Sequence, residues 1–206
     1  MKIVCISDTH RLHAQVEKIP GDVVIHAGDA CGYGSTNELM SFLAWFKNYP
    51  CTHKIFVAGN HDRCMELHTF LEEDVKANGI IYLKDSSVTI EDVEFYGTPY
   101  QPFFCNWAFN IRDPFALADI YAKIPASTDF LITHCSAADM LDKCTDGHVG
   151  SPELQRALKR ICPEYHLFGH IHEGYGTREQ NGVTYINASQ CDEHYNCSNK
   201  PIVVEI

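Results

Sequence analysis

Y-H-L-F-G-H-I-H, residues 165 to 172, is a short apolar run that breaks off at a glycine into two histidines, His170 and His172. The pair alone carries little weight, because with histidine at 12 of 206 positions chance supplies roughly 0.7 H-x-H patterns in such a chain. Repetition is what gives it meaning. K-I-V-C-I-S-D (2 to 8), D-V-V-I-H-A-G-D (22 to 29), H-K-I-F-V-A-G-N-H-D (53 to 62) and D-F-L-I-T-H (129 to 134) are also short, β-branched and apolar. All five read as buried strands. Each ends in a polar cluster: Asp8-Thr9-His10, Gly28-Asp29, Gly59-Asn60-His61-Asp62, His134, and Gly169-His170-Ile171-His172.

Between these runs lie helical patterns. Leu39, Phe42, Leu43 and Phe46 recur at i, i+3, i+4, i+7, as do Leu154, Ala157, Leu158 and Ile161, the spacing of helices packed on a sheet. Strands alternating with amphipathic helices predict a largely parallel α/β arrangement. S-V-T-I-E-D-V-E-F-Y-G (87 to 97) and the final P-I-V-V-E-I add hairpin or second-sheet strands. With no repeat, low-complexity tract or linker, the chain is expected to form one domain over 1–206. In parallel α/β sheets the carboxyl ends of the strands line one edge, where ligands bind. Polar clusters scattered over more than 160 positions are therefore predicted to converge.

Composition narrows the class of function. The net charge of -11 and the lack of a Lys/Arg cluster disfavour nucleic acid as a partner. No apolar run approaches the length of a membrane span and Met1 to Ile6 enters a strand directly, so a cytoplasmic protein is expected. The ten cysteines include no C-x-x-C pair, which argues against a zinc ribbon and for reduced, mostly buried thiols.

The converging residues are carboxylates, an amide and histidines, the nitrogen and oxygen donors of borderline divalent metals. They are too many for one ion. Two metals about 3.5 to 4 Å apart would share one bridging carboxylate and clamp the attacking and leaving oxygens of a phosphoryl substrate. The ordered set D-T-H, G-D, G-N-H-D, H and G-H-I-H, between residues 8 and 172, resembles the calcineurin-like metallophosphoesterase superfamily. S-D-T-H-R, T-H, G-H-I-H-E-G-Y-G and I-N-A-S (186 to 189) resemble, more narrowly, its metallophosphoesterase-domain-containing subgroup, class III cyclic-nucleotide-phosphodiesterase-like. The chain departs from that subgroup at T-H-C-S-A-A (133 to 138), where glycine and prolines usually follow the histidine.

The resemblance implies a four-layer calcineurin-like α/β fold, two packed mixed β-sheets flanked by helices. It assigns Asp8, His10 and His172 to one metal, Asn60, His134 and His170 to the other, and Asp29 to the bridge. The cofactors expected are two divalent transition metal ions, Mn, Fe, Zn or Ni. His61, free of metal, is the expected catalytic acid or electrostatic stabiliser. The function implied is hydrolysis of small phosphoesters, phosphodiesters favoured and cyclic nucleotides among them, by attack of a hydroxide held between the ions. The alternatives are a metal-dependent nuclease and a catalytically weak interaction scaffold.

Other residues carry paired readings. Arg11 and Arg63 flank motif loops and either hold phosphate oxygens or are simply solvated. Asp62 either orients His61 or caps the helix starting near Cys64. Cys135 reads as a buried thiol, since the ligand set is complete without it. The aromatic stretch T-P-Y-Q-P-F-F-C-N-W-A-F-N (98 to 110) forms either a pocket wall or core.

Overall fold

A computed structural model describes residues 1–145 and 147–206. The strands are β1 (Lys2–Ile6), β2 (Gly21–His26), β3 (Cys51–Phe56), β4 (Ile81–Tyr82), β5 (Ser86–Ile90), β6 (Val93–Thr98), β7 (Gln101–Pro102), β8 (Asn110–Ile111), β9 (Phe130–Thr133), β10 (Lys143–Cys144), β11 (Gly147–His148), β12 (Tyr165–Phe168), β13 (Gly176–Gln180), β14 (Val183–Asn187) and β15 (Ile202–Glu205). The helices are α1 (Thr36–Phe46), α2 (Arg63–Leu67), α3 (Leu71–Ala77), α4 (Pro114–Ala122) and α5 (Pro152–Ile161). Of the two large sheets, one has the order β15-β1-β2-β3-β4 and the other β13-β14-β12-β9-β6-β5, while β7 pairs with β8 and β10 with β11 in small two-stranded sheets. β1 to β4 run parallel, with β15 antiparallel at the edge. β14, β12, β9 and β6 are parallel and carry antiparallel β13 and β5 at their two edges.

Side-chain alternation shows how the layers stack. In β1, Ile3 and Cys5 join a core with Phe130, Ile132 and Leu167 of the other sheet, whereas Val4 and Ile6 join Leu39, Phe42, Leu43 and Phe46 of α1. Both faces of β1 are covered, which explains why K-I-V-C-I reads as a continuous apolar run. The second sheet repeats the scheme: Leu131 and Phe168 face Leu117 and Tyr121 of α4 and Leu154, Leu158 and Ile161 of α5. The order is helices, sheet, sheet, helices, as the motifs implied. The 87–97 run forms the β5–β6 hairpin of the second sheet, while the final strand pairs with β1 in the first.

Helix ends follow the sequence. Ser35 and Glu38 form a reciprocal capping box at α1, satisfying two backbone donors that the first turn leaves free. Ser151 caps α5, with Pro152 in its first turn. The strands stop short of their polar tails because the tails turn. Backbone bonds between the tails instead tie neighbours together, Asp8 N to Gly28 O at 2.8 Å and Gly169 N to His134 O at 3.0 Å. Among the described residues no helix is long and apolar enough to cross a membrane. All ten thiols are free.

Candidate metal centre

The five polar tails meet at one edge shared by both sheets. Several of their residues adopt a left-handed backbone: Asp8 (φ 49°), His10 (φ 40°), Asp29 (φ 58°) and His170 (φ 67°). Such conformations cost about 1–3 kcal/mol each and persist only where surroundings impose them. Here hydrogen bonds do so. His10 N donates to Asp29 O at 3.0 Å, His170 N to the Asp8 carboxylate at 3.0 Å, and His61 N to Asp29 Oδ1 at 2.7 Å. Two motif glycines make room for these carboxylates. A Cβ on Gly169 would collide with Asp8 Oδ2, and one on Gly59 with Asp29 Oδ1.

Among the described residues, candidate ligand atoms within 4.8 Å of one another form three groups: Asp8, His10 and His172; Asp29, His134 and His170; and His10, Asp29 and His61. Asp29 Oδ2 lies 3.8 Å from His10 Nε2 and 3.3 Å from His134 Nε2, so a single carboxylate oxygen faces donors of the first two groups. His172 Nε2 lies 3.5 Å from Asp8 Oδ1, and Asn60 Oδ1 is 3.0 Å from His134 Nε2. The structure thus brings all seven predicted ligands together, with His61 beside them.

Four of the imidazoles are held from behind. Nδ1 of His10, His61, His134 and His172 donates to the carbonyls of Cys31 (3.2 Å), Gly32 (2.6 Å), Ala27 (2.9 Å) and Asp192 (2.8 Å). That fixes the tautomer and leaves Nε2 bare, the outer support that metal-ligating histidines require. It also creates a demand. Nε2 of His10 and Nε2 of His172 stand 3.3 Å apart, two lone pairs that need a proton or a metal ion between them. His134 Nε2 faces two acceptors, Asn60 Oδ1 and Asp29 Oδ2. The donor set fits divalent cations.

The electrostatics agree. Burial opposes charge on Asp8 and Asp29, but the surrounding histidines, chiefly His172 for Asp8 and His134 for Asp29, hold both carboxyls below their ordinary range. Burial likewise opposes a proton on His134 and His172, yet Asp29 raises the first and Asp8 the second to about 9. His170, buried and close to His134, is pushed down to about 4. The carboxylates draw positive charge into the two groups.

Other predicted residues fall elsewhere. Asp62 stands at the N-cap position of α2, but its side chain makes no capping hydrogen bond there and none to the His61 side chain. Its carboxylate accepts from the backbone N–H groups of Asp29 (2.9 Å), Cys31 (2.9 Å) and Gly59 (2.8 Å), stitching the β2 tail to the β3 tail. Arg11 pairs with Glu38, Nε to Oε1 at 3.4 Å, on the far side of His10 in a shallow groove with His13 and Ser41. The Arg63 guanidinium lies 5.8 Å from the centre of the Trp107 ring. Neither arginine lines the cavity over the ligands. Cys135 is buried at that cavity's wall with its thiol near the Tyr121 hydroxyl, and burial pushes it up to about 12.

A family model described as calcineurin-like phosphoesterase matches residues 1–174, the stretch that contains every ligand just placed. The chain belongs to the calcineurin-like phosphoesterase family. It is 35% identical to the human metallophosphoesterase domain-containing protein 1, covering 100% of this chain and 71% of that protein. It is 35% identical to the UPF0046 protein K07C11.7 of Caenorhabditis elegans, covering 100% of this chain and 75% of that one. The crystal structure of TT1561 of Thermus thermophilus superposes with a TM-score of 0.67 at 10% identity, covering 90% of this chain and 88% of that chain. That likeness is one of fold.

Several further residues around this calcineurin-like phosphoesterase site support the ligands or wall the cavity. Ser189 Oγ donates to Asp8 Oδ2 at 3.0 Å and Asn187 Nδ2 to Ile171 O at 2.7 Å, giving the I-N-A-S stretch a role in holding the first ligand and the H-x-H turn. Tyr195 packs edge-on against His10 and His172, with ring centres 4.9 and 5.1 Å away. The 98–110 segment supplies a cavity wall: Phe103 and Phe104 line it, and Phe104 meets the His170 ring edge-on at 5.2 Å.

Proposed function

We propose that this chain is a dinuclear metal-dependent phosphoesterase acting on small phosphoesters, with phosphodiesters, cyclic nucleotides included, as the favoured class. The observation that carries the reading is the placement of Asp29 Oδ2 between His10 Nε2 and His134 Nε2, which joins two donor groups through one oxygen. The N/O donor set suits Mn, Fe, Zn or Ni. Two such ions, when bound, polarise phosphoryl oxygens and lower the pKa of water enough to provide a nucleophile near neutral pH.

The chain's own residues do the rest. Asp8 and Asp29 keep the metal groups anionic, so that two divalent ions leave a net positive floor for a phosphate ester. His61 has Nδ1 committed to Gly32 O, so its other nitrogen is free to hold a proton for the departing oxygen. The cavity above, about 530 Å³, has the size of a small-molecule site. Phe103, Phe104 and Tyr195 give it aromatic walls for the organic part of the ester.

The test is reconstitution of the purified protein with Mn, Fe(II), Zn or Ni, followed by metal analysis and assays on bis-p-nitrophenyl phosphate, p-nitrophenyl phosphate, a cyclic nucleotide and linear DNA. Two ions per chain and faster cleavage of diester than of monoester, with DNA intact, are expected. Saturation at one ion would sink the dinuclear reading. Cleavage of DNA in preference to the small diesters would move the chain to the nucleases, and no hydrolysis at full metal loading would leave it a scaffold.

A further inference from the structure

One hydrogen bond leaves an imidazole free to rock about the axis of that bond. For His61 the bond is Nδ1 to Gly32 O, and a second restraint lies across the ring. The indole of Trp107 is stacked on it, with centroids 4.0 Å apart and planes 23° from parallel. The His10 ring meets His61 nearly at right angles, 4.7 Å away. A stacked face fixes the plane, and the hydrogen bond fixes rotation within it.

Trp107 is itself pinned. Its neighbour Ala108 donates N–H to Asn60 O at 3.1 Å, and Phe109 N–H reaches Glu66 Oε1 at 2.7 Å, so the loop is tied to the β3 tail and to α2. Asn110 closes the loop on itself, its amide donating to Phe104 O at 3.0 Å and Trp107 O at 3.1 Å while its Oδ1 accepts from Phe104 N at 3.1 Å. The loop that sets Trp107 over His61 is thus fastened to the backbone of a predicted metal ligand.

We infer that Trp107 is a positioning residue for His61: its indole face holds the imidazole plane so that the free nitrogen meets the leaving oxygen of the ester. The inference rests on the role proposed above for His61 and adds the group that aims it. Misplacing a reacting group by about 1 Å costs on the order of 100-fold in rate, so a loosened His61 slows the reaction measurably even when every ligand is intact.

The test uses the full chain loaded with zinc, with Trp107→Leu to keep apolar bulk without a planar face and Trp107→Phe to keep a ring. Metal content and thermal melting are measured for each. For a diester with an alkoxide leaving group, Trp107→Leu should lower kcat about tenfold or more with KM within about twofold. Trp107→Phe should restore most of the rate. In a His61→Ala background the same Leu substitution should cost no more than about twofold, since its partner is gone. An equal fall in both backgrounds, or no fall in either, overturns the inference. A second readout is free of catalysis: in protein with labelled histidine, the His61 ring protons should carry an aromatic ring-current shift that Trp107→Leu abolishes, and an unchanged shift also overturns it. If the wild-type protein hydrolyses no ester, the proposed function fails by itself and the labelled-histidine spectrum still decides whether Trp107 holds the ring.

Discussion

At the floor of the cavity, Nδ1 of His10, His61, His134 and His172 is tied to a backbone carbonyl, and Asp8, Asp29, Asn60 and His134 are buried. At the rim, Phe103, Phe104, Val149 and Tyr195 are between 41% and 52% exposed and stand on segments outside the two large sheets. The floor is preorganised by main-chain bonds that a change of side chain elsewhere leaves untouched, as a site stabilising developing charge requires. The rim presents apolar and aromatic surface that differs from residue to residue. On the function proposed above, chemistry belongs to the floor and choice of ester to the rim, and substitutions in the two regions should have different kinetic signatures.

The largest effect is expected at the floor's centre. Asp29→Asn removes the charge that faces both donor groups, so affinity at both should fall by more than the roughly 10–100-fold that loss of an outer partner costs. His172→Ala should weaken chiefly the group with Asp8 and His10. Calorimetric titration with zinc separates the two patterns. Losses confined to one group in both variants would mean that Asp29 does not join them, and the comparison of a unified floor with an independent rim would break there.

The next effect is that of pH. His134 and His172 are raised from 6.5 to about 9 in the folded chain, so the stability that their protons contribute to the metal-free fold is fully present below about pH 6.5 and is lost as pH rises through about 9. A metal must displace those protons. Near pH 7, binding should release about one proton per group, and apparent affinity should climb toward tenfold per pH unit until about pH 9. Titrations in two buffers of different ionisation enthalpy count the protons. Asp62 works in the opposite sense to Asp8 and Asp29: burial, then the nearby Asp29 charge, raises it from 3.8 to about 6, so its share of stability is present below about pH 4 and is lost as pH rises through about 6.

The contrast between floor and rim also separates what the sequence discloses from what it conceals. Floor residues sit directly after apolar runs, at spacings of one to three positions, and the parallel sheet rule alone brings them to one edge. That β1 and β2 are covered on both faces is legible too, because I-V-C-I and V-V-I run apolar without alternation, whereas the four-layer order follows from the family resemblance. Rim contacts have no such periodicity. Trp107 is brought to His61 by bonds such as Ala108 N to Asn60 O, 48 positions away, a tertiary link with no local signature. Asp62 shows the same limit more sharply. An aspartate between a strand end and a helix reads as a cap, but three buried N–H groups, two from the β2 tail and one from its own turn, compete for it, and leaving them unpaired would cost about 1–3 kcal/mol each. Arg11 was drawn to Glu38, already turned inward by its place in the α1 capping box.

The smallest effect is expected at the rim, and Tyr195 is the most exacting place to look for it. Its ring touches His10 and His172, and its N–H shares the Asp192 carbonyl with His172 Nδ1, at 2.9 and 2.8 Å. It is therefore the rim residue nearest in structure to the floor. The main-chain bond to His172 survives Tyr195→Ala, so metal stoichiometry should stay at the wild-type value. What is lost is an aromatic face beside the ester, worth about 1 kcal/mol. KM should rise about fivefold with kcat unchanged, the signature of binding lost equally from ground and transition states. Michaelis curves for an aryl and a short alkyl diester check this, the aryl ester being the more affected because only it has a face to stack. A fall in kcat on both esters with metal retained would place Tyr195 in the machinery of the floor, and the division between the two regions would have to be drawn on the other side of the 191–197 loop.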